Sequence, residues 1–349
     1  MSRIASINIY ADEQSNLKYD GQTFMAIATL FIFNEEREKV IQDLLNLRCL
    51  NEKYNGEWYW EYEKCPAKDI CEPKYHIYNS MEIHYNELRP GYYSHQGIPK
   101  RWLEYFINRN REDRAIPFNI LYINLTNLDA EKFGTEKWHV NAYNRFFRMN
   151  LKFALKTFFL NNGYDKVFVN SIFHDKSEKL ENHPYFKVIN LKKLEQEINS
   201  STLHKKSVIL PQEITFIDSD HKKENPKYWG DIQLVQLTDL ILGVTSQNIF
   251  YTAETNTLKK ELAMIIRDLV ERLLKAPNNP NSSFHYYKKQ NISFFPKEPL
   301  KNTRYYFRTL DGSTIIETMK DQFYRDVCLK MPPFDPNIKK LDNWLKSKS

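Results

Sequence analysis

The chemistry in this sequence sits in a few carboxylates placed where the surrounding pattern does not require them. Asp12 and Glu13 close an alternating strand pattern over residues 4–11, Glu82 closes residues 75–82, and Asp218 closes residues 213–218 with Asp220 beside it. Asp239 lies inside the apolar run Gln236-Leu-Thr-Asp-Leu-Ile-Leu-Gly243. A carboxylate among leucines is costly to bury unless it is paired or holds a cation. Strand-end aspartates, by contrast, serve turns as readily as chemistry. Acids gathered from such distant segments would offer only oxygen donors, which suits Mg²⁺ or Mn²⁺. Two such ions about 4 Å apart activate a water and stabilise the leaving oxygen in phosphodiester hydrolysis. His84, two residues beyond Glu82, adds a group able to move a proton or orient a phosphate; its bland alternative is a histidine bonded to backbone. Glu87 reads as solvated, and His139, His174 and His221, lacking ligand spacing, read as surface groups.

These residues need elements to carry them. Residues 4–11 and 23–33 are predicted as strands of an antiparallel hairpin. Asn34 opens a helix with acids in its first turn and an apolar stripe of Val40, Ile41, Leu44, Leu45 and Leu47. Residues 52–73 form a Trp- and Tyr-rich insertion. A strand is expected over 74–82, a short helix over 99–108 and a strand over 118–125. A long amphipathic helix follows at 138–159, then a strand at 165–170, a helix at 191–199, a strand at 213–218, and helices at 232–250 and 258–274. Strands alternating with helices after a hairpin predict an α/β domain over residues 1–275, a mixed sheet with helices on both faces. The linker 276–283 separates it from a small C-terminal appendage, 284–349.

Composition narrows the classes. The 349 residues are 42% hydrophobic and 27% charged, which excludes collagen-like, mucin-like and wholly disordered chains. No run of about 18 apolar residues occurs and the N-terminus has no long apolar stretch, so neither a membrane span nor a signal peptide is expected. Cys49, Cys65, Cys71 and Cys328 form no CxxC pair, in keeping with a reduced, cytoplasmic setting. Glycines number only 9, and no glycine-rich nucleotide-binding loop is present. The net charge of +6 is unevenly spread: from Tyr251 onward 18 basic residues face 11 acidic ones, and before it 32 face 33. Between His285 and Arg308, six Lys and Arg alternate with seven aromatics and a single acid, Glu298. Cations neutralise phosphates while aromatic faces stack on bases, which makes Lys288, Lys289, Arg304, Tyr305 and Arg308 candidate nucleic-acid contacts. The alternative is a small hairpin whose aromatics pack on the main domain.

Four segments, Ile9-Tyr-Ala-Asp-Glu-Gln-Ser15, Glu82-Ile-His-Tyr-Asn-Glu-Leu88, Ile217-Asp-Ser219 and Ile232-Gln-Leu-Val-Gln-Leu-Thr-Asp-Leu-Ile-Leu-Gly243, resemble the motifs of the domain of unknown function 3800 family. The resemblance covers roughly residues 4 to 250 and implies an RNase H-like fold with a metal-dependent nuclease centre, in a family often encoded near mobile-element and phage-defence genes. By position it implies metal-ligand roles for Asp12, Glu82, Asp218 and Asp239. The chain departs from the family at Asn170, where an Asp is usual; its carbonyl oxygen still coordinates but one charge is lost, and Asp175 stands five residues on to compensate. The leading expectation is therefore a Mg²⁺- or Mn²⁺-dependent nuclease acting on RNA or DNA. The alternatives are a catalytically degenerate nucleic-acid-binding or effector subunit of a defence complex, and a phosphohydrolase for small nucleotides, which a narrow closed pocket would mark.

Overall fold

The computed structural model describes residues 2–19, 21–54, 56–112, 114–128, 133, 138–176, 191–202, 206–253, 255–275, 289–295, 307–308 and 314–315. Its strands are β1 (Ile4–Tyr19), β2 (Gln22–Phe33), β3 (Phe118–Asn124), β4 (Lys166–Asp175), β5 (Ser207–Ile209), β6 (Thr215–Ile217), β7 (Gln290–Phe295) and the short pair β8 (Phe307–Arg308) and β9 (Thr314–Ile315). The helices are α1 (Asn34–Asn46), α2 (Pro73–Asn79), α3 (Tyr93–Arg111), α4 (Trp138–Ala154), α5 (Leu191–Ser200), α6 (Trp229–Phe250) and α7 (Thr257–Lys275). One mixed sheet runs in the order β5-β4-β1-β2-β3-β7, and β6 also pairs with β4. β2 is antiparallel to both β1 and β3, whereas β4 lies parallel to β1 and β7 parallel to β3.

Alternation along β1 divides the core. Ala5, Ile7, Ile9 and Ala11 face a cluster with Phe146, Phe147 and Leu151 of α4 and Leu194 of α5. Tyr10 faces the opposite cluster, built with α1, α3, α6 and α7. Helices thus cover both faces. α6 is the centre of the second layer: from Asp231 to Phe250 every residue except Asp239 is buried. No helix among the described residues is long and apolar enough to cross a membrane.

β4 contains the irregularity that matters most. Its parallel register with β1 steps from Ile7↔Val169 to Asn8↔Ser171, leaving Asn170 unpaired as a bulge. A single extra residue reverses which face every later side chain takes. Before the bulge Val167 and Val169 face the α4 layer; after it Phe173 faces the α6 layer. Asp175, two residues beyond Phe173, shares that face.

Three expectations are corrected. Residues 74–82 are not a strand: Pro73 pre-sets the first turn of α2, which buries His76 and Asn79 one turn apart and leaves Tyr75, Ile77 and Tyr78 exposed. The helix expected at 99–108 begins at Tyr93 and carries Pro99 inside it. The segment after the linker does not all stand apart, because β7 is an outer strand of the main sheet. Asn291 Nδ2 donates to Asn119 Oδ1 at 2.8 Å, and Thr29 Oγ1 donates to Asn150 Oδ1 at 2.6 Å, so buried amides tie the strands to one another and to α4. Such polar groups fix register, because a slip would leave them unpaired.

Candidate functional site

The middle of β1 and the C-terminal end of β4 meet under the middle of α6. The last registered pair is Ala11↔His174, which puts Asp12 beside Asp175. With the bulge in place both face α6, where Asp239 is the one residue of the buried stretch left open. Asp12 and Asp175 both feel the charge of Asp239. Asp12 is only 6% exposed, and burial, then Asp239, Glu13 and Asp175, push its proton affinity well above the ordinary carboxylate range. Burial raises Asp175 to about 6, with Asp239 and Glu82 adding to the effect. Glu13 rises to about 8, from burial and then the charge of Asp175. His174 Nε2 lies 3.5 Å from Glu13 Oε2, and the Tyr143 hydroxyl donates to the same carboxylate.

The segment after α2 closes the site from above. Tyr85 N–H donates to Asp239 Oδ2 at 2.6 Å, and His84 Nδ1 lies 3.0 Å from the same oxygen. The hydrogen bond to Asp239 outweighs burial and lifts His84 to about 9. The spacing of Asp239 and Gly243 has a reason, since residues four apart share a helix face. Asp239 takes the Tyr85 amide while Gly243 takes the Tyr85 ring, and any Cβ at 243 would collide with that ring. Glu82 accepts a hydrogen bond from Ser219 Oγ at 2.6 Å, and the same hydroxyl contacts Asp175. One hydroxyl proton between two carboxylates satisfies only one of them, and burial raises Glu82 as well.

Arg48 holds this segment in place. It is fully buried, and its guanidinium donates to the carbonyls of Asn79 at 3.1 Å and Met81 at 2.9 Å and to Gln233 Oε1 at 2.6 Å and Gln236 Oε1 at 2.5 Å. Gln236 Nε2 in turn donates to the carbonyl of Ser219 at 2.7 Å. Arg48 thus fixes both Glu82, through the backbone before it, and the Ser219 hydroxyl that Glu82 accepts from. Behind the sheet, Tyr143 OH meets His174 Nε2 at 2.6 Å, and His174 Nδ1 lies 2.7 Å from the carbonyl of Asp175. Burial holds His174 down to about 4, so it is neutral.

The site differs from expectation in stated ways. Asp12, Asp239, Glu82 and His84 are brought together. Asp218 is turned into its own loop, where Oδ1 accepts from Asp220 N–H at 2.9 Å and its amide donates to Glu224 Oε2 at 2.9 Å. Asn170 is remote: its Nδ2 donates to Ser6 Oγ at 2.9 Å on the exposed side of the bulge. Five strand residues from Asp175, it lies on the order of 15 Å away. The strand runs on to Asp175, which supplies the carboxylate in its place. His174 and His221 are buried rather than on the surface. Glu13, Ser219 and Arg48 join the site unannounced; only the doublet Asp12-Glu13 and the Asp-Ser pair at 218–219 signalled the first two. Lys288, Arg304 and Tyr305 lie outside the described residues. The carbonyl of Lys289 accepts from Phe118 N–H at 3.0 Å, and Arg308 belongs to β8.

As the side chains stand, no group of three His, Cys, Asp or Glu among the described residues is already arranged to hold a metal ion. The carboxylate donor set is nonetheless all oxygen, and among the described residues one paired cation, His84 at Asp239, stands against three carboxylates, which is the chemistry a hard divalent ion fits. Compared with known proteins, the chain matches no family model and no curated sequence.

Proposed function

We propose that this protein is a Mg²⁺- or Mn²⁺-dependent nuclease of RNase H-like fold, hydrolysing phosphodiester bonds of nucleic acid. The observation that carries the reading is the gathering of Asp12 of β1, Asp175 at the end of β4 and Asp239 of α6 on one face, three carboxylates against the single paired cation among the described residues, His84. Support for the fold comes from the strand order, with an antiparallel β1-β2-β3 meander and β4 parallel to β1 on its other side. In this reading Asp12, Asp175 and Asp239 hold the ion, and Glu82 joins them by way of Ser219. When bound, such an ion makes a water more acidic and offsets the charge that gathers on the phosphate. His84, held protonated at neutral pH by Asp239, suits the role of acid toward the departing oxygen better than that of base toward water. Arg48 keeps Glu82 and Ser219 in register with α6.

The test is cleavage of RNA, DNA and hybrid substrates with Mn²⁺ by the full chain and by Asp239→Asn. Losing several kcal/mol of charge stabilisation corresponds to roughly a thousandfold loss of rate. Full activity in the variant, or no cleavage of any substrate, overturns the proposal.

A second reading, a nucleic-acid-binding subunit without catalysis, is favoured by one contact. Asp239 Oδ2 is already taken by Tyr85 N–H and His84, which leaves one oxygen for an ion. Under that reading, binding persists in EDTA and is unaffected by Asp12→Ala.

A further inference from the structure

Beside the acids lies a cavity of about 350 Å³ whose lining, among the described residues, contains no acid. Its charges are Lys18 and Lys259, and Gln14, Asn16, Asn86 and Thr252 are among its polar walls. It is joined to the candidate site through Tyr85, whose ring lines the cavity while its amide donates to Asp239.

Three observations mark the cavity as built for a ligand. Lys259, half-buried on the first turn of α7, makes no ion pair with a carboxylate among the described residues. Its Nζ donates to the carbonyl of Asn86 at 3.0 Å and sits 4.8 Å from the centre of the Tyr85 ring. The charge of Asp239 reaches it, but burial outweighs that attraction, so the cation has been partly stripped of water without a paired counter-charge. Gln14 Oε1 is buried and has no donor. Asn16, in the cavity lining, is a non-glycine residue with a positive φ of 61°. Asn16 also falls in the β1 bulge between Gln14 and Leu17, which turns Ser15 and Asn16 out of the ladder. Backbone held in so sparse a region persists only where surrounding structure imposes it.

We propose that this cavity is a nucleotide subsite, in which Lys259 contacts the phosphate and Gln14 accepts from a sugar hydroxyl or base N–H. The cation answers the phosphate and the orphan acceptor answers the nucleoside, so the ligand is a nucleotide unit rather than a bare inorganic ion. A volume of this size is at the lower end of small-ligand pockets, enough for one nucleotide and not for a duplex segment. The placement beside Asp239 rests on the nuclease reading for its purpose: the unit held here is the neighbour of the bond presented to the acids. Binding itself does not depend on cleavage.

The experiment is fluorescence anisotropy with end-labelled octamers of single-stranded RNA and of DNA, in EDTA, with adenosine monophosphate as competitor. Lys259→Met is compared with the unaltered chain, with Lys259→Arg, and with Lys39→Met, which removes an equal charge from the exposed face of α1. The expected result is about tenfold weaker octamer binding for Lys259→Met alone. Its slope of log affinity against log salt should be shallower by about 0.7, the value of one single-strand phosphate contact. Lys259→Arg retains most of the affinity. Competition by the mononucleotide, lost in Lys259→Met, gives the same answer for a free nucleotide as ligand. Equal binding by Lys259→Met and Lys39→Met overturns the subsite, as does a Lys259→Met effect with an unchanged salt slope. Because no cation is present, either result stands apart from the cleavage test. Lys259-dependent binding without cleavage removes the nuclease and keeps the subsite, and the reverse removes the subsite alone.

Discussion

Two places where β1 meets α6 handle buried carboxylates in opposite ways. At the first, Asp231 Oδ1 accepts from Tyr10 OH at 2.7 Å and from Arg37 at 2.7 Å, so the acid is neutralised within the fold. At the second, two residues along the strand and about two turns along the helix, Asp12 and Asp239 face each other and Asp175, and among the described residues the one cation paired to them is His84 at Asp239. The same two elements and the same residue types give one closed ion pair and one open acid cluster. The fold evidently has the means to compensate a buried acid at this interface, so the second arrangement is not forced by packing. It is the arrangement expected where the compensating charge comes from outside the chain.

The contrast is broken most directly by neutralising one acid at each place. Asp231→Asn should destabilise the protein by about 2–3 kcal/mol, somewhat less than a fully enclosed pair because Arg37 retains 21% side-chain exposure. Asp12→Asn in EDTA should leave stability unchanged or raise it, since it removes repulsion rather than attraction. Urea unfolding of both variants checks the signs, and equal losses would erase the distinction drawn between the two places.

A second effect concerns pH. Glu13 at about 8 and Asp175 at about 6 bind protons more tightly folded than unfolded, as does Asp12. The folded state therefore holds the extra protons between roughly 4 and 8, and stability falls as pH rises through that window. His84, raised to about 9, also loses its contribution as pH rises from its ordinary value near 6.5. His174, held near 4, works the other way but only below about 6.5. In EDTA the melting temperature should thus decline between about pH 6.5 and 8.5, and saturating Mn²⁺ should flatten the decline by binding the ionised acids. A flat profile without metal would show that the acids are already compensated.

The smallest effect is the most pointed. Asn170→Asp restores the residue type the resemblance leads one to expect, yet the position faces Ser6 on the far side of the bulge. Stability should change by no more than about 0.5 kcal/mol, and Mn²⁺-dependent cleavage should stay the same. A large gain in cleavage would place Asn170 in the site after all.

These outcomes also measure what the sequence makes legible. The hairpin, the helices at 138–159, 191–199, 232–250 and 258–274 and the strand at 118–125 follow from periodicity alone, because each buries one consistent stripe or both faces. Asp239 stands out for the same reason, as a charge that its apolar neighbours do not explain. Asp175 is harder to see, since its role depends on a bulge, and a one-residue offset leaves no mark in composition. The helix at Pro73–Asn79 is obscured by exposed Tyr75, Ile77 and Tyr78, which imitate an alternating strand. β7 is hidden by its surroundings: a six-residue strand in a basic, aromatic stretch shows no sign of which sheet it will join. Arg48 carries no signal at all, because its partners are carbonyls and amides contributed by segments far along the chain.

The membership of β7 in the sheet sets a schedule for synthesis. Until residues 290–295 leave the ribosome, β3 is an unpaired edge, with Phe118, Ile120, Leu121, Tyr122 and Ile123 as its apolar side chains. Open edges of that kind recruit other strands, and closure here must bridge some 170 residues, a slow kind of contact. A chain cut after α7 would retain Asp12, Asp175 and Asp239, yet emerge as an aggregation-prone fragment. Synthesis as far as β7, rather than possession of the acids, is what closes that edge.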